Sequence, residues 1–437
     1  VKMILMKKIF LIISVIIFTN IVHAEIDVCK TEKKYSQIWY YNNCDGETLV
    51  IKKRKIKNTN KNTPWKGYEN GTSSEIPWDA NPNYEILKKY LKKYINEPVK
   101  ENNKIVIKKS KNYKEFTFNL TEDEKVTKAF QKTALLSYLM YVDGQIVIDE
   151  ITPKDRFGKI FKNNTLYVSN SMGKSIMSYV YGHAVCRGHV NGIHETMNWN
   201  VLENTLFENQ PIINVLNMAS GAQKYVDNKG GGSFKKSNRW VNRWSVNDLA
   251  KKELKNTTPG KNKYHYANLN TNVFTSYVMA TMGAKEYKKM LNDIFQNKIG
   301  IQYNVVMKQP SQSKKSDLSM TYGMHLTRYD YMRVAVAMLN DWNNNTCEGQ
   351  YLKSLHENRI KKGKTNNVNN TDAFSHTKSY GGQFHMGISG KRDKPIFILD
   401  GFAGQTITID FENNKIISTM AIHRDYNWMK LVHKKIK

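Results

Sequence analysis

The sequence predicts an α+β fold: an antiparallel sheet flanked by terminal helices, with a mostly helical subdomain inserted. Three observations carry this. Strand patterns gather at residues 133–151 and return only in the C-terminal part of the chain. The stretch between them, to about residue 365, reads mainly as helices and loops. No internal repeat interrupts this plan. With 437 residues, 40% of them hydrophobic, the chain can bury a sizeable core in one large domain or two ordinary ones.

Taken in order, Lys7 and Lys8 precede the apolar run "IFLIISVIIF", and Val22-x-Ala24 ends the segment on a small residue. A basic start, a short apolar centre and a small-residue end describe a secretory signal peptide over 1–24. Cleavage is expected after Ala24, with the product periplasmic or secreted. Residues 25–125 are polar and irregular, with turn signals and one short amphipathic helix, "YEILKKYLKKYI". They read as an N-terminal extension to a domain over 126–437. Export permits disulfides. Cys29 and Cys44 lie close together and are expected to pair, whereas Cys186 lies in an apolar helix and reads as a buried thiol. Spacing alone cannot decide a Cys186–Cys347 bridge.

"LLSYLMYVDGQIVIDEI" is two apolar runs around Asp143-Gly144, a hairpin signal. "TLYVSN" is extended. Ile176, Met177, Val180, Tyr181, Ala184 and Val185 then repeat with helical spacing, and Gly188 ends that helix. "TRYDYMRVAVAMLNDW" is a further helix. "GGQFHMGIS" and "KPIFILD" read as strands, "TITIDF" and "KIISTMAIH" as a hairpin, and "WMKLVHKKI" as a closing helix.

The charge is lopsided, with 67 Lys and Arg against 38 Asp and Glu, formally +29. The lysines are dispersed along the chain, and no zinc-finger spacing or RNA-binding signature accompanies them. Nucleic acid is therefore not an expected partner; weak association with anionic cell-envelope surfaces is.

The chemistry concentrates in "YVSNSMGKSIMSYVYG". Its Gly-Lys-Ser is not a phosphate loop, because Val168 stands where the first glycine of that loop is needed. The same lysine completes Ser171-x-x-Lys174, a spacing that puts an amine on the serine's side of a helix. Serine needs a neighbour to take its proton, and a lysine can do so once burial or nearby positive charge lowers its pKa. Ser171 could equally be a helix N-cap beside an exposed lysine. Local pattern leaves the two readings level. Ser233/Lys236, Ser311/Lys314 and Ser375/Lys378 repeat the spacing, but in stretches that read as solvated loops. A second motif, Tyr266-Ala267-Asn268, follows a Pro259-Gly260 turn and precedes an apolar helix. A phenol and an amide so placed can share one cleft.

In their order these features resemble the serine β-lactamase and penicillin-binding superfamily. The likeness is to its class C-type branch of esterases and 6-aminohexanoate-oligomer hydrolases. "VSNSMGKSIMSYVYGHAVCRGHVNGIHE" is similar to the family's nucleophile helix and "PIINVLNMASGAQKY" to its Leu-Leu-x-x-x-Ser-Gly segment. "PGKNKYHYANLNTNVF" resembles the second motif, "MTYGMHLTRYDYMRVAVAMLNDW" a later helix, and "YGGQFHMG…ILDGFAGQTITID" the closing strands. The resemblance covers about residues 130–425 and implies a β-lactamase/transpeptidase-like fold and acyl transfer to a small-molecule amide or ester. It makes Ser171 the nucleophile, Lys174 its base, Tyr266 the proton shuttle and Asn268 a residue that binds the substrate or orients Lys174. The Ser171 N–H and an N–H near Phe402 would form an oxyanion hole.

One departure bears on the substrate. Penicillin-recognising members carry Lys-Thr-Gly, or His for the Lys, on the closing strand. Here the stretch is Leu399-Asp400-Gly401. Asp400, facing the cleft, would repel a carboxylate and attract an ammonium. The histidines do not converge: Asn198 replaces the second His of a His-Glu-x-x-His site, and His183, Cys186 and His189 spread around their helix. No metal, nucleotide or other cofactor is implied.

Overall fold

The computed structural model describes residues 103–154, 156–222, 243–363, 376–424 and 426–436. The signal segment, the amphipathic stretch near residue 90 and the Cys29–Cys44 pair lie outside these residues.

Two short strands, β1 (Lys104–Ile107) and β2 (Thr117–Phe118), and helix α1 (Glu124–Lys132) precede the hairpin of β3 (Leu135–Val142) and β4 (Gln145–Ile151). Asp143 and Gly144 take φ of 46° and 96° at its turn. Positive φ at both central residues is what a tight right-twisted hairpin needs, and Asp-Gly tolerates it. β5 (Tyr167–Val168) leads into α2 (Met172–Cys186), and α3 (Asn268–Asn292) follows further along the chain. Then come β6 (Val305–Lys308), β7 (Met324–Leu326), α4 (Arg328–Asn343) and α5 (Cys347–Glu357). The remaining strands are β8 (Ile360–Lys361), β9 (Thr377–Gly381), β10 (Phe384–Ile388), β11 (Ile396–Gly401), β12 (Gln405–Asp410) and β13 (Lys415–Ala421). The closing segment forms a helical turn, Trp428–Leu431, and a short 3₁₀ turn.

Among the described residues the main sheet runs β2-β4-β3-β13-β12-β11-β10-β9-β8. β3 lies antiparallel beside β13, so the two ends of the domain share one sheet, as the strand distribution predicts. A smaller sheet, β1-β6-β7-β5, was not legible in the sequence. β1 and β2 also show that residues 104–118, read as the end of an extension, pair with strands of both sheets.

Side chains alternate across the main sheet. Leu139, Phe397 and Ile416 enter the large core on one face, where α2 and α4 pack. Tyr138, Ile398 and Ile417 enter a second core on the other face with Val126 and Phe130 of α1 and Trp428 and Leu431. The sheet is thus covered on both faces. This explains a departure in α2. Its apolar stripe predicts one buried face, yet every residue from Met172 to Ala184 is buried. The helix lies between the sheet and the helical layer formed by α3 and α5.

The buried-thiol reading of Cys186 is overturned. Cys186, at the end of α2, is bonded to Cys347, at the start of α5, with Cα atoms 5.7 Å apart. The partner stands 161 residues away in sequence, so only the fold brings the two sulfurs together.

Candidate active site

The turn between β5 and α2 builds the site. Asn170 takes φ of +47° and so turns the chain sharply. Ser171 follows at the first helical turn, half-exposed. Here the two readings of Ser171 separate. Its side chain makes no capping hydrogen bond to the helix. Its Oγ instead accepts from Lys174 Nζ across 2.7 Å, and the Tyr266 phenol hydrogen-bonds to the same serine.

Lys174 is 1% exposed. Its ammonium group lies 3.6 Å from the centre of the Tyr322 ring and 5.0 Å from that of Tyr266. Two effects oppose each other here. A desolvated cation over an aromatic face gains about 2 kcal/mol, whereas burying a charge costs several kcal/mol. Burial wins and holds the Lys174 amine well below the usual lysine range, with the Asp400 carboxylate pulling it partly back. A neutral amine can accept the Ser171 proton along the contact the two already share. Burial pushes the Tyr266 phenol up, the Ser171 hydrogen bond opposing it, so that it stays protonated at neutral pH.

Gly173 explains why this helix comes so close to its neighbours. A Cβ there would stand 2.0 Å from the Tyr322 carbonyl oxygen. On the opposite side a Cβ at Gly401 would stand 2.4 Å from the Ser169 carbonyl oxygen. The end of β11 therefore touches the Ser171 turn backbone to backbone. Asn170 Nδ2 donates to the Phe402 carbonyl at 2.8 Å, and Gln405 Nε2 to the same oxygen at 2.6 Å. Ala403, with φ of +65°, turns the chain away. Phe402 thus sits beside the Ser171 turn.

The structure brings Ser171, Lys174, Tyr266, Gly401 and Phe402 to one place. Asn268 opens α3, half-buried, but is not in hydrogen-bond contact with Lys174. Asp400 departs from expectation. Its side chain is fully buried and forms an ion pair with Arg424 at 3.0 Å, so it is not displayed to a substrate ammonium as a free anion. Tyr322, Arg424 and Lys362 escape the sequence reading. Ser311 and Lys314 are exposed, as their spacing in a loop suggests, while Ser233 and Ser375 lie outside the described residues. His183 faces Glu348 at 2.8 Å, and no cluster of metal-binding side chains occurs among the described residues.

A Bacillus anthracis protein provisionally described as a 6-aminohexanoate-dimer hydrolase superposes on this chain with a TM-score of 0.56 at 13% identity, covering 82% of this chain and 93% of its own. The chain has the β-lactamase/transpeptidase-like fold. A penicillin-binding protein from Bacillus halodurans (TM-score 0.49, 14% identity, 71% of this chain and 98% of that one) is similar too. So is a Bacteroides dorei protein provisionally described as a β-lactamase (TM-score 0.49, 12% identity, 71% and 96%). No family model and no curated protein matches the sequence. The fold puts the N-terminus of α2 beside the end of β11, and the Ser171–Lys174 pair lies at that junction.

Proposed function

We propose that the protein is a serine hydrolase that cleaves an amide or ester bond of a small molecule through an acyl-enzyme on Ser171. The observation that carries this reading is the Ser171 Oγ–Lys174 Nζ contact of 2.7 Å, made in place of a helix cap. Neutral Lys174 takes the hydroxyl proton as Oγ attacks the carbonyl carbon. The developing oxyanion is met by the backbone N–H groups of Ser171 and of the Phe402 segment. Tyr266, bonded to the same serine, gives its phenol proton to the leaving group and is reprotonated by Lys174, which returns to the neutral amine. Water then attacks the acyl-enzyme, its proton returns through Lys174, and Ser171 is released.

The substrate reading follows from β11. Leu399 is buried and Asp400 is held by Arg424, so neither offers a cation to a carboxylate beside the scissile bond. Neutral esters and amides suit the site better than penicillins. The Cys186–Cys347 bond supports export to an oxidising compartment, where such bonds persist. The test is labelling of the purified protein with a fluorophosphonate and a fluorescent penicillin. The expected result is fluorophosphonate labelling that disappears in Ser171→Ala, with weak or no penicillin labelling. Strong penicillin labelling would move the protein to the penicillin-interactive branch. Neither probe reacting would leave a binding protein without an acyl-enzyme.

A further inference from the structure

Behind Lys174 the strands enclose a charged cluster that the proposed reaction does not use directly. Arg424, which follows β13, pairs with Asp400 at 3.0 Å and also donates to the Gly401 carbonyl. Lys362, just beyond β8, is 4% exposed. Its Nζ donates to Thr377 Oγ1 of β9 at 2.6 Å and lies 3.4 Å from His385 Nδ1 of β10. Asp400 interacts electrostatically with both Lys362 and Lys174, and so does His385. One buried carboxylate therefore faces two buried amines and a guanidinium.

The charge count is restrictive. The guanidinium stays protonated, and at 3.0 Å it holds Asp400 as the anion, against burial, which pushes that carboxyl up. The Arg424–Asp400 pair is then neutral. Any further proton, on Lys174 or on Lys362, leaves an uncompensated charge where water does not reach, and such a charge is costly. The two lysines consequently compete. We propose that Asp400, clamped by Arg424, and Lys362 are positioning residues that set how readily Lys174 holds a proton, acting in opposite directions. Asp400 favours the protonated amine and Lys362 disfavours it. His385 lies between them, and burial and both lysines keep its ring neutral. Burial holds Lys362 itself down to about 7, Asp400 opposing and Lys378 reinforcing. The groups facing Lys174 are Ser171, Tyr266, Tyr322, Asp400 and His385; those facing Lys362 are His376, Thr377, Lys378, His385 and Asp400.

The inference rests on Lys174 being the base, and its test separates the two. The acid limb of kcat/KM for a short nitrophenyl ester is measured in Asp400→Asn and Lys362→Met. The Lys174 side chain is also titrated directly by NMR in protein carrying ¹³C-labelled lysine, with Lys174→Met assigning the signal. Asp400→Asn should move both the limb and the titration to lower pH by about 1 unit, and Lys362→Met should move them to higher pH by a smaller amount. Unchanged titrations, or shifts in the same direction, would overturn the proposal. Full hydrolysis by Ser171→Ala would instead remove the nucleophile reading, and the NMR titration would still decide the coupling. Should Asp400→Asn fail to fold, as a melting curve would reveal, Lys362→Met and Lys362→Gln carry the test.

Discussion

The two ends of α2 carry buried polar groups of opposite character. At its N-terminal end Lys174 is 1% exposed and has a hydroxyl and two aromatic rings for company. At its C-terminal end His183 is equally buried, but Glu348 stands 2.8 Å away and the Cys186–Cys347 bond ties the helix to α5 one turn further on. The same helix in the same core thus holds one group without a contacting counter-ion and one with it. Burial without a contacting carboxylate weakens the amine's hold on its proton. Burial with one fixes a structure. The contrast shows that the sequence of a helix does not say how each buried polar group is held; its neighbours do.

The comparison breaks most clearly at Ser171, the proposed nucleophile. Ser171→Ala should lose about a thousandfold or more in ester turnover with its melting curve little changed. Lys174→Arg should be as poor, because a guanidinium cannot accept the proton. Lys174→Met should also be inactive, yet melt higher than the wild type, since it removes a buried amine that is neutral when folded and charged when unfolded. Substantial turnover in the Arg variant would show that the amine is not the base. In the intact protein kcat/KM should fall as pH drops through the lowered Lys174 value, and a flat profile would contradict that assignment.

Tyr266→Phe comes next. It keeps the ring against Lys174 and removes the proton path, so kcat should fall by about 10²–10⁴. Single-turnover kinetics with a poor leaving group give the most sensitive measurement. At the other end of the helix, replacing Cys186 and Cys347 together by serine should cost about 2–5 kcal/mol of stability while leaving turnover in the cold nearly intact. A large activity loss without a stability loss would mean that the bond serves the site and not the scaffold.

The smallest effect is at Glu348. The His183 hydrogen bond depresses its carboxyl from 4.5 to about 2. A depressed acid stabilises the fold above its unfolded value and loses that contribution as pH falls through the folded one. The stability difference between wild type and Glu348→Gln should therefore be constant above pH 4.5 and fade towards about 2. Denaturant melts across that window measure it. A difference that persists unchanged at pH 2 would mean that the interaction is not charge-dependent.

Much of the fold was legible because its signals are local. Asp143-Gly144, the apolar run after Ser171 and the paired strands before the C-terminus each announce themselves within a dozen residues. Ser171, Lys174 and Tyr266, which the structure brings together, stand in local motifs for the same reason, and the order of the motifs adds to the signal. What escaped depends on long-range pairing. β1 meets β6 across some two hundred positions of chain, and Cys186 finds Cys347 across 161. Lys362 stands in "RIKKGK", where nothing in the sequence marks one lysine as the buried one. Asp400 was read as a cleft anion because Arg424, which holds it, comes from another strand's end.

Gly173 and Gly401 bring main chain against main chain on both sides of the Ser171 turn. Spacing at such a contact is set by peptide groups, which cannot change rotamer or shrink. A mutational scan across the domain should therefore show two kinds of intolerance. In the packed core the penalty should grow with the change in side-chain size. At these two glycines alanine should do as badly as leucine, because the first carbon already occupies the place of an oxygen. The geometry around Ser171 can accordingly persist while much of the surrounding hydrophobic core drifts, provided that these two positions do not.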